Sequence, residues 1–137
     1  MSSEFSVAVH ALVFLNHKGA ILSSEALAKN VCTNPARVRK VMAKLKKAGL
    51  VFTKEGVDGG YQFVLNPAEV TLRQISEALD IRFVSASWQS GDTDMNCLIA
   101  SGMADIMNSI YAQLDQGCKE RLEQVTIQTI DDKIFHQ

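Results

Sequence analysis

Proline and glycine are scarce in this 137-residue chain, with only two and eight respectively, which excludes collagen-like and low-complexity architectures. No segment repeats at a period above helical spacing, which argues against a solenoid. The longest apolar run, residues 11–15, is far too short to cross a bilayer. Residues 1–4 lack the basic segment of a secretory signal peptide. We therefore expect a cytoplasmic protein with no membrane partner, built as one compact domain with a modest appendage.

Cysteine is also sparse, and the three present are Cys32, Cys97 and Cys118. Their odd number and wide spacing do not match the disulfide framework of a small secreted domain. No cysteine and histidine stand at the spacing of a metal site, and no nucleophile, base and acid occur together. We therefore predict no metal site and no enzyme. A small enzyme that uses the thiol of Cys32 or Cys97 is the alternative.

Acidic residues are missing between residues 29 and 54, although the whole chain carries a net charge of only −1. The same stretch holds eight basic residues: Lys29, Arg37, Arg39, Lys40, Lys44, Lys46, Lys47 and Lys54. A concentrated basic face attracts a polyanion even on a nearly neutral protein. The alternative for a basic run alone is a solvated helix face.

Helical periodicity and capping residues predict three helices in the first third of the chain. Apolar residues recur every three or four positions in residues 3–17, and a short helix follows a serine cap at Ser23 or Ser24. Asn34 then offers a capping side chain directly before a proline, which marks the start of a basic helix over residues 35–48.

Extended runs at residues 50–53 and 61–65 flank a glycine-rich turn and predict a β-hairpin, which we call the wing. A capping box at Thr71 predicts one more short helix. We expect the winged region to cover residues 1–82, followed by a loop or linker at 83–97. Residues 98–137 are expected to form a helical dimerisation region with one long helix.

Helix, short helix, capped basic helix and hairpin follow one another in the order of a winged helix-turn-helix. The predicted fold class is therefore mainly α with a small β-hairpin. A helix fits the major groove of B-DNA and its first turns meet base edges, whereas the hairpin would meet the minor groove. The predicted DNA-binding residues are Ser24, Thr33, Asn34, Arg37, Arg39, Lys40, Lys44, Lys54, Gly59, Gly60 and Tyr61. A winged-helix module that binds only protein is the alternative, and salt-dependent affinity for duplex DNA distinguishes the two.

These features resemble the IscR-like, Rrf-type family of winged-helix transcription regulators. The matching residues are Leu-Lys-Lys-Ala-Gly-Leu-Val at 45–51, Gly-Val-Asp-Gly-Gly-Tyr at 56–61, and Thr-Leu at 71–72. The resemblance implies a homodimer, joined through the long helix, that binds double-stranded DNA at a pseudo-palindromic operator and acts as a repressor. The candidate interface residues are Met103, Ile106, Met107 and Ile110. Packing of that helix wholly within its own subunit is the alternative.

Several members of that family hold an iron–sulfur cluster on three cysteines spaced six residues apart. If Cys97 is the third ligand, the other two positions fall on Ser85 and Gly91, and a further position falls on Ala100. None of these three residues is a good ligand for iron. We therefore expect no cluster and no other cofactor. A regulator that senses a small-molecule ligand is a further alternative.

Cys32 directly precedes the capped start of the basic helix, where Lys29 and the helix amino terminus would favour its reactive thiolate. The resemblance implies that the loop before the long helix lies near the DNA-binding part of the partner. We therefore hypothesise redox sensing, in which oxidants join Cys32 to Cys97 of the partner subunit. The alternative is that Cys32 packs in the core, as free cysteines often do.

Overall fold

The computed structural model describes residues 3–136, which form six helices and one two-stranded sheet. In chain order these are α1 (Glu4–Lys18), α2 (Ser24–Val31), α3 (Pro35–Lys47), β1 (Phe52–Lys54), β2 (Gly60–Gln62), α4 (Leu72–Ala78), α5 (Leu98–Leu122) and α6 (Ile127–Phe135). This order confirms the predicted fold class, a mainly α protein with a small hairpin and a long C-terminal helix. None of the helices in residues 3–136 is long and apolar enough to span a membrane.

Side chains that accept backbone N–H groups fix the helix starts where capping residues predict them. Ser23 Oγ accepts the N–H of Ala26 at 3.1 Å and begins α2. Asn34 Oδ1 accepts the N–H of Arg37 at 2.8 Å, and proline at the next position begins α3. The start of α4 has the reciprocal pair of bonds that defines a capping box. These boundaries depend on residues three positions apart, which is why sequence reasoning finds them.

The core of the first unit lies where α1, α2, α3 and α4 pack together. Four residues on one face of α3 are fully buried there: Val38, Val41, Met42 and Leu45. They are the apolar stripe that predicts this helix. On the neighbouring helices Leu12, Leu15, Leu27 and Ile75 are also fully buried. Burial of this stripe directs the basic residues of α3 away from the core.

The wing is an antiparallel pair in which Thr53 faces Tyr61. Its strands are shorter than the expected runs 50–53 and 61–65. Leu50 and Val51, which precede the ladder, and Phe63, which follows it, are buried in the core. Leu22 exchanges two backbone hydrogen bonds with Tyr61, at 2.9 and 2.8 Å, and so ties the wing to the segment before α2.

The C-terminal helix α6 belongs to the first unit, which runs to Ile81 and resumes at Leu122. The N–H of Leu72 donates to the Val125 carbonyl at 2.8 Å, and Ile127 is fully buried. This division differs from the expected region 98–137, because the apolar face of α6 packs on α1. Long-range packing of this kind leaves no local mark in the sequence.

The second unit, Arg82–Arg121, is an ordered loop followed by most of α5. The buried Asp115 carboxylate accepts the N–H groups of Phe83 and Val84 at 2.6 and 3.0 Å. Burial raises the pKa of Asp115, but these N–H groups and the Lys119 ammonium outweigh it and lower that pKa below 3.8. The loop between the winged region and α5 is therefore fixed to its own helix by a buried charge.

Burial of Ile127 predicts a large effect of truncation at this position. Ile127→Ala should lower the free energy of unfolding by about 2–5 kcal/mol, because it leaves a cavity where α6 meets the core. Urea unfolding followed by circular dichroism measures this change. Ile134→Ala is the matched control, since that side chain on the same helix is 51% exposed. Equal losses in the two variants would contradict the placement of α6.

Candidate nucleic-acid interface

Arg39 is held on the outer face of α3 by two residues at the start of α2. Its Nη1 donates to Ser24 Oγ at 3.2 Å and lies 3.7 Å from Glu25 Oε1. Ser24 Oγ in turn donates to Glu25 Oε2 at 3.2 Å. Ser24 is buried, whereas the Arg39 side chain is 52% exposed. The guanidinium is therefore both oriented and accessible.

Lys40 and Lys44, one turn apart on α3, share the carboxylate of Glu4 on α1. Their Nζ atoms lie 3.3 and 3.0 Å from its two oxygens. The hydrogen bond from Lys44 is the main cause that lowers the pKa of Glu4 below 4.5, against a smaller opposing effect of burial. Lys40 keeps a side chain that is 67% exposed, while Lys44 is more enclosed against α1.

Three of the eight basic residues between positions 29 and 54 thus have carboxylate partners. This corrects the expectation that the stretch is unopposed, since Glu4 and Glu25 lie outside it in sequence and beside it in space. Within residues 3–136, the other five basic side chains make no hydrogen bond or ion pair: Lys29, Arg37, Lys46, Lys47 and Lys54. The eight basic residues together with Glu4 and Glu25 therefore still carry a net positive charge.

The wing and the start of α2 form the two sides of an open cleft of about 270 Å³. Lys54 lies at the end of β1 on this cleft, which Ser24 and Tyr61 also line. Gly60 is needed here because a Cβ atom would collide with the carbonyl oxygen of Leu22. The cleft therefore brings together the predicted residues of the wing and those of α2.

Gly59 also has a packing role, since a Cβ atom there would collide with the carbonyl oxygen of Lys54. Thr33 lies half-buried in the turn between α2 and α3, and its backbone N–H donates to the Ala28 carbonyl oxygen at 3.1 Å. The side-chain oxygen of Asn34 is occupied by its cap. These three residues shape the backbone of the candidate interface.

Cys32 ends α2 in a left-handed conformation with φ of 65°. Its side chain is exposed, and the thiol donates to the Lys29 and Asn30 carbonyls at 3.7 and 3.9 Å. The alternative that Cys32 packs in the core is therefore wrong. Its thiol contacts the carbonyl end of α2.

Cys97 lies directly before α5, and its thiol is exposed. The backbone N–H groups of Ala100 and Ile99 lower the pKa of this thiol below its ordinary value of 9.0. A helix amino terminus thus favours the thiolate of Cys97. Sequence reasoning gave that advantage to Cys32.

A family model described as Rrf2, iron-dependent transcriptional regulator, matches residues 1–133. The chain belongs to the Rrf2 family. This confirms the resemblance to Rrf-type regulators, a family that binds DNA and whose members regulate transcription rather than catalyse reactions. The protein is therefore a member of a family of transcription regulators.

Three relatives show how closely this Rrf2 chain follows known proteins. YwgB of Bacillus subtilis, provisionally named an HTH-type transcriptional regulator, is 23% identical over 136 residues, covering 98% of this chain and 85% of YwgB. A crystal structure of a Lactobacillus plantarum protein, provisionally described as a transcriptional regulator, has a TM-score of 0.87 at 24% identity. The match covers 99% of this chain and 93% of that protein. IscR of T. potens has a TM-score of 0.72 at 19% identity, and the match covers 99% of this chain and 88% of IscR. The structural likenesses support the shared fold.

Regulators of this family are described as iron-dependent, and four positions of this chain correspond to the expected ligands of an iron–sulfur cluster. Cys97 supplies one thiol, whereas Ser85 and Ala100 offer no suitable ligand for an iron–sulfur cluster. Gly91 has no side chain, and a Cβ atom there would collide with the carbonyl oxygen of Ala100. The N–H of Asp92 also donates to that oxygen at 2.9 Å. These residues do not fit a cluster.

Glu4 gives this interface a testable pH dependence. A folded-state pKa below the ordinary value means that the carboxylate stabilises the fold above pH 4.5 and loses this effect as pH falls through the folded pKa. Glu4→Gln should therefore lower the free energy of unfolding by about 1 kcal/mol at pH 7, and by almost nothing below that pKa. Urea unfolding at roughly five pH values between about pH 3 and pH 7 measures the difference in the free energy of unfolding between the two proteins.

Glu25→Gln is the matched control, because the Glu25 side chain is 70% exposed and pairs only with Arg39 and Ser24 in the described residues. Its effect at pH 7 should be smaller than that of Glu4→Gln. If Glu4→Gln lowered the free energy of unfolding by the same amount down to about pH 3, below the ordinary pKa of Glu4, the lowered pKa assigned to Glu4 would be contradicted.

Proposed function

We propose that this protein is a homodimeric, sequence-specific DNA-binding repressor that presents α3 and the wing to an operator. The observation that carries the proposal is the geometry of Arg39. Its guanidinium is fixed by buried Ser24 yet half exposed, on the outer side of α3. Arginine held in this way is suited to bidentate recognition of guanine in the major groove.

The remaining positive charges suit contacts to the phosphate backbone. Lys40 is largely exposed on α3, and Lys54 stands at the edge of the wing cleft. Phosphate contacts fix the register of a protein on the duplex, while base contacts supply the specificity. We assign the specific contacts to the first turns of α3 and the positioning contacts to Lys40 and the wing.

A second copy of the chain is expected to cover the apolar face of α5. Leu98, Ile106, Ile110 and Leu114 on this helix are each more than 40% exposed, and Met103 is 37% exposed. An exposed apolar stripe of this length marks an interaction surface. A two-fold pair would bury it against itself and present two copies of α3 to a pseudo-palindromic operator. A dimer on a promoter excludes polymerase, which is the basis for assigning repression.

Arg39→Ala and Lys40→Ala test the proposed DNA contacts. Loss of Arg39 should cost about 1–3 kcal/mol on the operator and relax its sequence preference. Loss of Lys40 should weaken binding to all sequences and reduce the slope of log K against log salt by about 1. Fluorescence anisotropy at several salt concentrations measures both effects.

Arg121→Ala and Lys18→Ala are the matched controls, since both remove an exposed cation from a helix other than α3. Sedimentation equilibrium should give twice the chain mass for all variants. Full operator affinity in the Arg39→Ala and Lys40→Ala proteins would show that another face binds DNA. Absence of any salt-dependent duplex affinity in the unmodified protein would favour the protein-interaction module.

We also infer a thiol switch between Cys97 and Cys32 of the partner subunit, which the exposure of both thiols and the lowered pKa of Cys97 support. Hydrogen peroxide would oxidise the Cys97 thiolate to a sulfenic acid and release water after proton uptake. The second thiol would then displace a second water and form the disulfide. Overall, two thiols lose two electrons and two protons to one peroxide.

Mild peroxide followed by non-reducing electrophoresis tests this switch. The unmodified protein should form a crosslinked dimer, and its operator affinity should change because Cys32 lies at the start of the α3 segment. Cys32→Ser and Cys97→Ser should each abolish the crosslink, while Cys118→Ser should not. A Cys32→Ser protein that crosslinks and responds to peroxide like the unmodified protein would end the proposal.

A further inference from the structure

Glu25 is an acidic side chain within a surface that is otherwise suited to a polyanion. It is the second residue of α2, lines the wing cleft together with Lys54, and has a side chain that is 70% exposed. Exposed ion pairs contribute little to stability, and a carboxylate near DNA phosphates opposes binding. Its presence on this surface therefore needs a reason in DNA recognition itself.

The guanidinium of Arg39 has one nitrogen bound by the protein and one edge that remains available. Nη1 donates to Ser24 Oγ at 3.2 Å and lies 3.7 Å from Glu25 Oε1. Among the described residues, Nε and Nη2 of Arg39 have no hydrogen-bond partner. These two nitrogens can donate side by side to a phosphate, or to the O6 and N7 atoms of guanine.

The Glu25 carboxylate distinguishes these two partners by their charge. A phosphate on the available edge of Arg39 would bring a second anion to a guanidinium that already faces one. Like charges about 6 Å apart repel each other enough to lower affinity about threefold in bulk water, and more at a protein surface. Guanine has no net charge and presents acceptor atoms on this edge, so it does not meet that repulsion.

We propose that Glu25 is a specificity-determining residue, which keeps Arg39 off the phosphate backbone and so leaves its available edge to a guanine base. This inference rests on the proposed function, because it adds one residue to the same DNA-binding face. Glu25 acts through Arg39 and is a positioning residue. Ser24 Oγ contacts both side chains, donating to Glu25 Oε2 at 3.2 Å, and so holds the carboxylate beside the guanidinium.

The competing role for Glu25 is to stabilise the start of α2, where a negative charge is favoured by the helix dipole. That role predicts a change in the stability of the fold when the charge is removed. It predicts no change in preference between DNA sequences. Glu25→Gln separates the two roles, because it keeps an acceptor for Ser24 and Arg39 and removes only the charge.

Fluorescence anisotropy of the 137-residue chain on two duplexes tests the proposal. One duplex is selected by the unmodified protein from a random-sequence pool, and the other contains the same bases in shuffled order. Glu25→Gln should raise affinity for the shuffled duplex by about threefold or more, and affinity for the selected duplex by less. The slope of log K against log salt on the shuffled duplex should steepen by about 1, because Arg39 then neutralises a phosphate.

Glu55→Gln is the matched control, since Glu55 is an exposed acid on the same cleft that has no bond to Arg39 among the described residues. It should change both affinities by a similar factor and keep their ratio. Glu25→Asp retains the charge and should keep most of the ratio. In an Arg39→Ala background, Glu25→Gln should no longer change the ratio, because the two residues act as a coupled pair.

Each result decides the proposal. An unchanged ratio in Glu25→Gln, an equal fall in Glu55→Gln, or a fall that persists without Arg39 would overturn it. Selective binding by the unmodified protein together with any of these results would leave the proposed function intact. A protein with no salt-dependent affinity for either duplex would instead contradict the proposed function, and this inference with it.

Discussion

Burial of one apolar face of α3 is the constraint on which the interface depends. Val38, Val41, Met42 and Leu45 are fully buried, and each such side chain contributes roughly 1.5–3 kcal/mol when removed from water. The ion pairs on the outer face contribute about 0–1 kcal/mol each. Apolar burial therefore decides how the helix is rotated, and the basic residues take the directions that remain. The proposed DNA-binding face is a consequence of core packing.

The carboxylates of Glu4 and Glu25 then divide the basic residues into groups with different freedom. Lys44 is enclosed beside α1, and Arg39 is oriented by buried Ser24, whereas Arg37 makes no side-chain bond within the described residues. A guanidinium that is already oriented loses less conformational entropy when it binds. The two acidic residues thus reduce the total positive charge of the surface while pairing with three of its cations.

The loop before α5 shows how a family member can lack the features of a cluster site. Asp115 accepts two backbone N–H groups from the start of this loop, and Gly91 packs on the Ala100 carbonyl. At position 91 any side chain would collide with that carbonyl, so the backbone leaves no room for a cysteine there. The thiol of Cys97 is the feature through which we propose that this protein responds to its surroundings.

Residue spacing was enough to predict the elements that depend on neighbouring residues: the caps at Ser23, Asn34 and Thr71, the stripe of α3 and the resemblance to Rrf-type regulators. Their energetics act within one helical turn, so local spacing is sufficient to find them. The pairing of Glu4 with α3 and the return of α6 to α1 were decided only by tertiary structure. These features join residues 36 or more positions apart, and no periodicity relates such residues before the chain has folded.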